Sequence, residues 1–84
     1  MSNVAKTLER VLAGKSGVKF QELHMLLIAL GFGEPRVSGS HHIYVHPKVS
    51  LPVNIQPFGK EAKKYQVRQV SAIIREFKLE LGEQ

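Results

Sequence analysis

The sequence contains no cysteine, which excludes disulfide bonds and thiolate metal sites and suits a reducing compartment. It contains no aspartate either, so a Ser-His-Asp catalytic set is excluded. Its longest apolar run, residues 23–30, is interrupted by His24 and falls far short of the roughly 20 residues that span a bilayer. The first residues contain no apolar core of signal-peptide length. We therefore expect a cytoplasmic protein without membrane contact.

The length of the chain limits its organisation. A chain of 84 residues buries only about 60% of the surface that its unfolded form exposes, so its core must be small. Hydrophobic residues make up 43% of the sequence and charged residues 23%, which is typical of a globular protein. We therefore expect residues 1–84 to form a single domain.

Positive charge is in excess, with a formal net charge of +5. Such a field attracts nucleic acid, acidic proteins or a membrane surface. The excess is concentrated in the segment 60–68, where four cationic side chains accompany one glutamate. These cations are Lys60, Lys63, Lys64 and Arg68. On charge alone, this segment is explained equally well by a solvent-exposed start of the third helix and by a contact with nucleic acid.

Hydrophobic periodicity predicts three helices, at residues 3–13, 19–30 and 65–79. Ser2 or Asn3 can cap the first helix, and Gly14 and Gly31 stand just past the ends of the first and second. The second helix is apolar almost all round in its second half, so it should be the central core helix. Its His24 is expected to be an ordinary histidine of the helix surface.

Three short strands are predicted between the second and third helices, at 36–38, 41–46 and 51–56. Alternation on the middle strand separates two sets, His41, Ile43 and Val45 against His42, Tyr44 and His46. We expect the face with Ile43 and Val45 to pack against the core and the other face to be exposed to solvent. The order α-α-β-β-β-α predicts an α+β fold, in which helices cover one face of a three-stranded antiparallel sheet.

Three of the four histidines lie within residues 41–46, directly after the Gly39-Ser40 turn. An imidazole, whose ordinary pKa is about 6.5, can accept and donate a proton near neutral pH. RNA carries its own nucleophile, the 2′-OH, so a positioned histidine can promote its cleavage without a metal or another cofactor. A metal site is the weaker alternative, because His42 and His46 are about 13 Å apart along a strand. Alternation alone would favour His42 or His46 over His41 as the functional residue.

The segment 39–47, Gly-Ser-His-His-Ile-Tyr-Val-His-Pro, resembles the signature of the HicA family of bacterial toxins. Those proteins are small mRNA-cleaving ribonucleases that are paired with a HicB antitoxin. The helix that ends in Gly31-Phe32 and the last helix also resemble family elements, so that the likeness covers residues 19–80. The resemblance implies a double-stranded-RNA-binding-domain-like fold and two partners, mRNA and a HicB-like antitoxin, without DNA binding. Residues 1–17 form a helix that the shortest members lack, and the segment 60–69 differs from the shorter loop typical of the family.

The family's catalytic histidine directly follows Gly-Ser, which corresponds to His41 in this sequence. The resemblance therefore implies a metal-independent endoribonuclease with His41 as catalytic residue, and His42 or His46 are candidate acid–base assistants. The candidate RNA-binding residues are Lys60, Lys63, Lys64, Arg68 and Tyr44. Tyr44 would stack on a base, although an exposed sheet residue packed on its neighbours is the alternative. A non-catalytic RNA-binding module of the same fold is the alternative function, and a partner-docking domain that uses the first helix is a weaker one.

Overall fold

The computed structural model describes residues 3–82. Its elements are, in order, α1 (Val4–Leu12), α2 (Phe20–Ala29), β1 (Arg36–Ser38), β2 (His41–Tyr44), β3 (Val53–Ile55), β4 (Pro57–Phe58), β5 (Glu61–Ala62) and α3 (Lys64–Phe77). The three predicted helices and the order α-α-β-β-β-α are confirmed. Asn3 stands at the N-cap position of α1, and Ser2, the other predicted cap, lies outside the described residues.

The sheet has the order β1-β2-β3 and is antiparallel throughout. Ser38 pairs with His41, so Gly39 and Ser40 form a two-residue hairpin turn between β1 and β2. Gly39 has a φ of 60°, and a positive φ at the first turn residue matches the right-handed twist of the flanking strands. The turn therefore fixes His41 as the first residue of β2.

A second, two-stranded hairpin of β4 and β5 follows β3 and was not predicted. It lies between the predicted third strand and the predicted third helix, where the sequence showed only the basic segment 60–68. Each of its strands has only two residues, too few for alternation to be visible. Two backbone hydrogen bonds hold the hairpin to the start of α2: Phe20 N–H donates to the Lys60 carbonyl at 2.9 Å, and Ala62 N–H to the Val18 carbonyl at 3.0 Å.

Helix α2 is the central helix, as its apolar sequence predicted. Leu23, Leu26 and Leu27 are at most 1% exposed, and the apolar faces of the other helices and of the sheet pack around them. The end of α2 has the predicted glycine cap. Gly31 has a φ of 105°, and the N–H of Phe32 donates to the Leu27 carbonyl at 3.0 Å.

The predicted orientation of β2 is wrong. Tyr44 is fully buried and His46 is 8% exposed, whereas Val45 is 60% exposed and His41 faces solvent. The reason is that an aromatic ring buries more apolar area than a valine does, and the hydroxyl of Tyr44 finds a half-buried hydrogen-bond partner in α2. The alternation itself was read correctly, but the inward face is the one that carries Tyr44.

Among residues 3–82, no helix combines the length and the apolar character that a membrane span requires.

Candidate active site

His41 lies on the open face of the sheet, at the corner where the β1–β2 turn ends. In the register of β2 and β3, Ile43 pairs with Asn54, which places Asn54 and Gln56 on the same face as His41. The expectation that His41 points to the core is therefore wrong, and alternation along β2 no longer favours His42 or His46 over His41. This face combines one exposed imidazole with two amide side chains.

Both ring nitrogens of His41 are in contact with these amides. Nδ1 lies 3.0 Å from Nδ2 and 3.3 Å from Oδ1 of Asn54. Nε2 lies 3.3 Å from Nε2 of Gln56. The imidazole is thus held between residues of β3 and of the segment that directly follows it.

A chain of hydrogen bonds decides which nitrogen of His41 carries the proton. Gln66 Oε1 accepts the backbone N–H of Gln56 at 2.7 Å, so the Gln66 amide nitrogen is the group that donates to Gln56 Oε1, at 3.4 Å. The Lys63 ammonium, which can only donate, reaches the same oxygen at 3.2 Å. Gln56 therefore turns its NH₂ group towards His41 Nε2.

An NH₂ group next to Nε2 requires a lone pair on that nitrogen, because an Nε2–H would oppose another donor. The proton of the neutral ring then lies on Nδ1, and the Asn54 amide, whose nitrogen is the nearer atom at 3.0 Å, must turn its oxygen towards the ring to accept this hydrogen bond. The two ends of the Asn54 amide are interchangeable by rotation, and this network selects the one with oxygen towards the ring. The site thus presents an unprotonated Nε2 on the open face.

His42, one of the two candidate assistants, lies on the opposite side of the sheet. Its ring is half-buried and packs edge-on against Phe20, with ring centroids 4.7 Å apart. Its Nδ1 is 3.1 Å from the carbonyl oxygen of Ser40. The structure does not bring His42 together with His41.

His46, the other candidate assistant, has the environment of a structural residue, which disfavours its predicted role as acid or base. Its Nε2 donates to the Leu30 carbonyl at 3.0 Å, and its Nδ1 accepts the backbone N–H of Lys48 at 3.0 Å. The ring also packs edge-on against Phe32. With both nitrogens engaged and 8% of the residue exposed, His46 ties the chain after β2 to the end of α2.

The prediction that Tyr44 contacts RNA is wrong as well, because its side chain is fully buried. Its hydroxyl lies 2.8 Å from Nδ1 of His24 in α2. Burial raises the pKa of Tyr44 to about 12, and the charge of Glu34 adds to this effect. His24, expected to be an ordinary surface residue, is thus the partner of a core tyrosine, and no local sequence signal announces this pairing.

The cationic residues of the segment 60–68 are divided between two places. Lys63, Lys64 and Arg68 line a groove of about 510 Å³ between α3, the β4–β5 hairpin and the loop 15–18. Lys60 lies outside this groove, exposed in the β4–β5 turn. Within residues 3–82, no three histidine or glutamate side chains come together as a metal site would require.

Helices α2 and α3 and the sheet β1–β3 have the arrangement of a double-stranded-RNA-binding-domain-like protein, to which α1 is added. The sequence model of a family described as the HicA toxin of bacterial toxin-antitoxin systems matches residues 20–79. The match covers more than half of the chain, so the protein belongs to the HicA toxin family, as the resemblance indicated. Membership implies an antitoxin as partner. Comparisons with curated proteins and with solved structures gave no significant match.

Proposed function

We propose that this protein is a metal-independent endoribonuclease that cleaves mRNA, with His41 as the general base. One observation carries the proposal: the exposed imidazole after Gly39-Ser40 turns Nε2 towards the Gln56 amide, whose oxygen is engaged by Lys63, and this network favours the tautomer without a proton on Nε2. A base oriented by further hydrogen-bonding groups is the usual arrangement for activating a hydroxyl nucleophile.

In the proposed reaction, His41 Nε2 takes the proton of a ribose 2′-OH. The oxygen attacks the adjacent phosphorus, the bond to the 5′-oxygen breaks, and that oxygen receives a proton from water. The hydroxide that remains takes the proton from Nε2, which restores water and the neutral imidazole. The products are a 2′,3′-cyclic phosphate and a 5′-hydroxyl end. Proton transfer by a positioned histidine contributes about 10²–10⁴-fold to the rate. The 3.3 Å contact from Gln56 is at the long end of hydrogen bonds, so an incoming hydroxyl can replace it.

The amides around His41 are positioning residues in this proposal. Asn54 accepts the Nδ1 proton and supports the imidazolium that forms when Nε2 is protonated. Lys63 orients Gln56 and brings a positive charge to the site, where it can stabilise the negative charge that develops on the phosphate. Neither His42 nor His46 has a role in this reaction.

The test is cleavage of unstructured RNA, in the presence of EDTA, by the wild type and two histidine variants. His41→Gln removes the base and should lower the cleavage rate at least about 100-fold while the circular dichroism spectrum stays unchanged. His42→Gln is the matched control, since it makes the same change one residue away on the opposite face, and it should retain cleavage. Cleaved ends should carry cyclic phosphate. Wild-type cleavage rates in His41→Gln would overturn the proposal.

The second candidate function is an RNA-binding module without turnover, which the groove lined by Lys63, Lys64 and Arg68 favours. Salt-sensitive RNA binding by a wild type that never cuts RNA would support this alternative. For either function we propose action in the cytoplasm and control by a HicB-like antitoxin. That antitoxin would cover His41 and the cationic residues.

A further inference from the structure

The groove lined by Lys63, Lys64 and Arg68 also carries the two most exposed aromatic rings of residues 3–82. Phe58 on β4 is 72% exposed, and Tyr65 in the first turn of α3 is 49% exposed. The remaining aromatic residues, Phe20, Phe32, Tyr44 and Phe77, are all buried or packed against the core. Neither Phe58 nor Tyr65 belongs to the core cluster or packs against it, so core packing does not explain why aromatic residues stand at these positions.

The charge around these rings is mostly positive. Lys15 from the loop after α1 joins Lys63, Lys64 and Arg68 along the groove, and Glu61 is the only carboxylate among the lining residues. Cations beside exposed aromatic faces are what single-stranded nucleic acid requires, because phosphates pair with the cations and bases stack on the rings. An acidic protein segment would also pair with the cations, but a nucleic acid strand supplies a flat base beside every phosphate and so matches the rings and the cations together.

The groove is connected to His41 by two hydrogen-bonded side chains. Lys63 lines the groove, and its ammonium donates to Gln56, whose amide contacts the imidazole. The hydroxyl of Tyr65 accepts a hydrogen bond from Gln66 at 3.4 Å, and Gln66 also orients Gln56. The side chain of Gln56 is therefore the single link between a groove-lining residue, Lys63, and the imidazole of His41.

We propose that this groove binds the single-stranded RNA segment next to the cleaved bond, with bases stacked on Phe58 and Tyr65 and phosphates on Lys64 and Arg68. This inference rests on the proposed function, because it assigns the groove to the substrate of His41. It also replaces the base-stacking role that the sequence assigned to Tyr44. Cleavage then requires RNA whose bases are unpaired, since paired bases cannot stack on the two rings.

The test measures binding of a short single-stranded oligoribonucleotide by fluorescence anisotropy, in the His41→Gln background so that the RNA stays intact. Phe58→Leu and Tyr65→Leu keep an apolar side chain without a ring, and each should weaken binding about tenfold. Phe58→Trp, which keeps an aromatic ring at this position, should bind the oligoribonucleotide as tightly as the parent does. Leu51→Ala is the matched control, because Leu51 is 73% exposed and lies outside the groove, and it should leave binding unchanged.

A second probe, the same ribose-phosphate backbone without bases, separates stacking from charge. The two ring variants should bind it as the parent does, whereas Lys64→Gln and Arg68→Gln should weaken binding of both probes and reduce the salt dependence. The inference would be overturned if the ring variants bound RNA as tightly as the parent does. It would also be overturned if the ring variants lost as much affinity for the base-free backbone as for the RNA. Cleavage by the otherwise wild-type enzyme is scored separately, so loss of RNA binding in Phe58→Leu supports the groove even if no cleavage is found.

Discussion

Replacing Gly31 by alanine should destabilise the protein through His46. Gly31 has a φ of 105°, and a Cβ atom at this position would lie 3.0 Å from His46 Nε2, the atom that donates to the Leu30 carbonyl. The left-handed backbone costs a residue with a Cβ about 1–2 kcal/mol, and loss of the buried hydrogen bond costs about 1 kcal/mol more. We expect Gly31→Ala to lower the free energy of unfolding by roughly 2–3 kcal/mol.

Gly14→Ala is the matched control for this change. Gly14 has a φ of 73°, and a Cβ there would meet no heavy atom within 4 Å, so the variant should show only the backbone cost of about 1–2 kcal/mol. Urea unfolding followed by circular dichroism measures both variants, and the midpoints are compared at equal slopes. The excess cost of Gly31→Ala over Gly14→Ala is the contribution of the clash with His46.

A double-mutant cycle tests the cause. In a His46→Ala background the ring is absent, so Gly31→Ala should cost no more than Gly14→Ala does. If Gly31→Ala lowers the free energy of unfolding equally with and without the His46 ring, then that ring is not held in contact with the end of α2. The His46 ring would then be available for the acid–base role that the sequence predicted.

Three further predictions concern the other polar contacts. The folded-state pKa of Tyr44 is about 12 against an ordinary value of 10, so stability should be full below pH 10 and fall by roughly 2–3 kcal/mol as the pH rises to about 12. Tyr44→Phe should lack this part of the high-pH loss in urea titrations. The backbone N–H of Lys19 lowers the pKa of Glu22, so stability should fall as the pH drops through that pKa. Glu22→Gln should remove this dependence. The change in the free energy of unfolding should be less than about 1 kcal/mol, because the side chain is 35% exposed and solvent screens its charge. Gln56→Met should leave His41 without its tautomer constraint, which nitrogen-15 NMR would detect as a mixture of Nδ1–H and Nε2–H forms, and cleavage should slow several-fold; an unchanged NMR spectrum would contradict the network.

Features that depend on neighbours along the chain were predictable. The helices follow from apolar periodicity, and the ends of the first two from Gly14 and Gly31, which adopt the positive φ that a glycine allows. The Gly39-Ser40 turn places His41 at the start of β2, and the same short motif indicated both the family and the candidate residue. These features are local, because the conformational preference of a residue or its spacing from near neighbours is enough to set the backbone structure there.

The tertiary structure decided which face of β2 turns inward, and with it the environment of every histidine after His24. The alternating pattern fits either face, and burial of Tyr44 against His24, twenty positions earlier, selects one of them. The β4–β5 hairpin, too short to be recognised, forms one side of the groove where Phe58 is exposed. The sequence by itself therefore determined that His41 stands at a corner of the sheet. Only packing between separate elements determined which nitrogen of His41 faces the Gln56 amide and which aromatic rings line the groove, because those contacts join residues that are not neighbours along the chain.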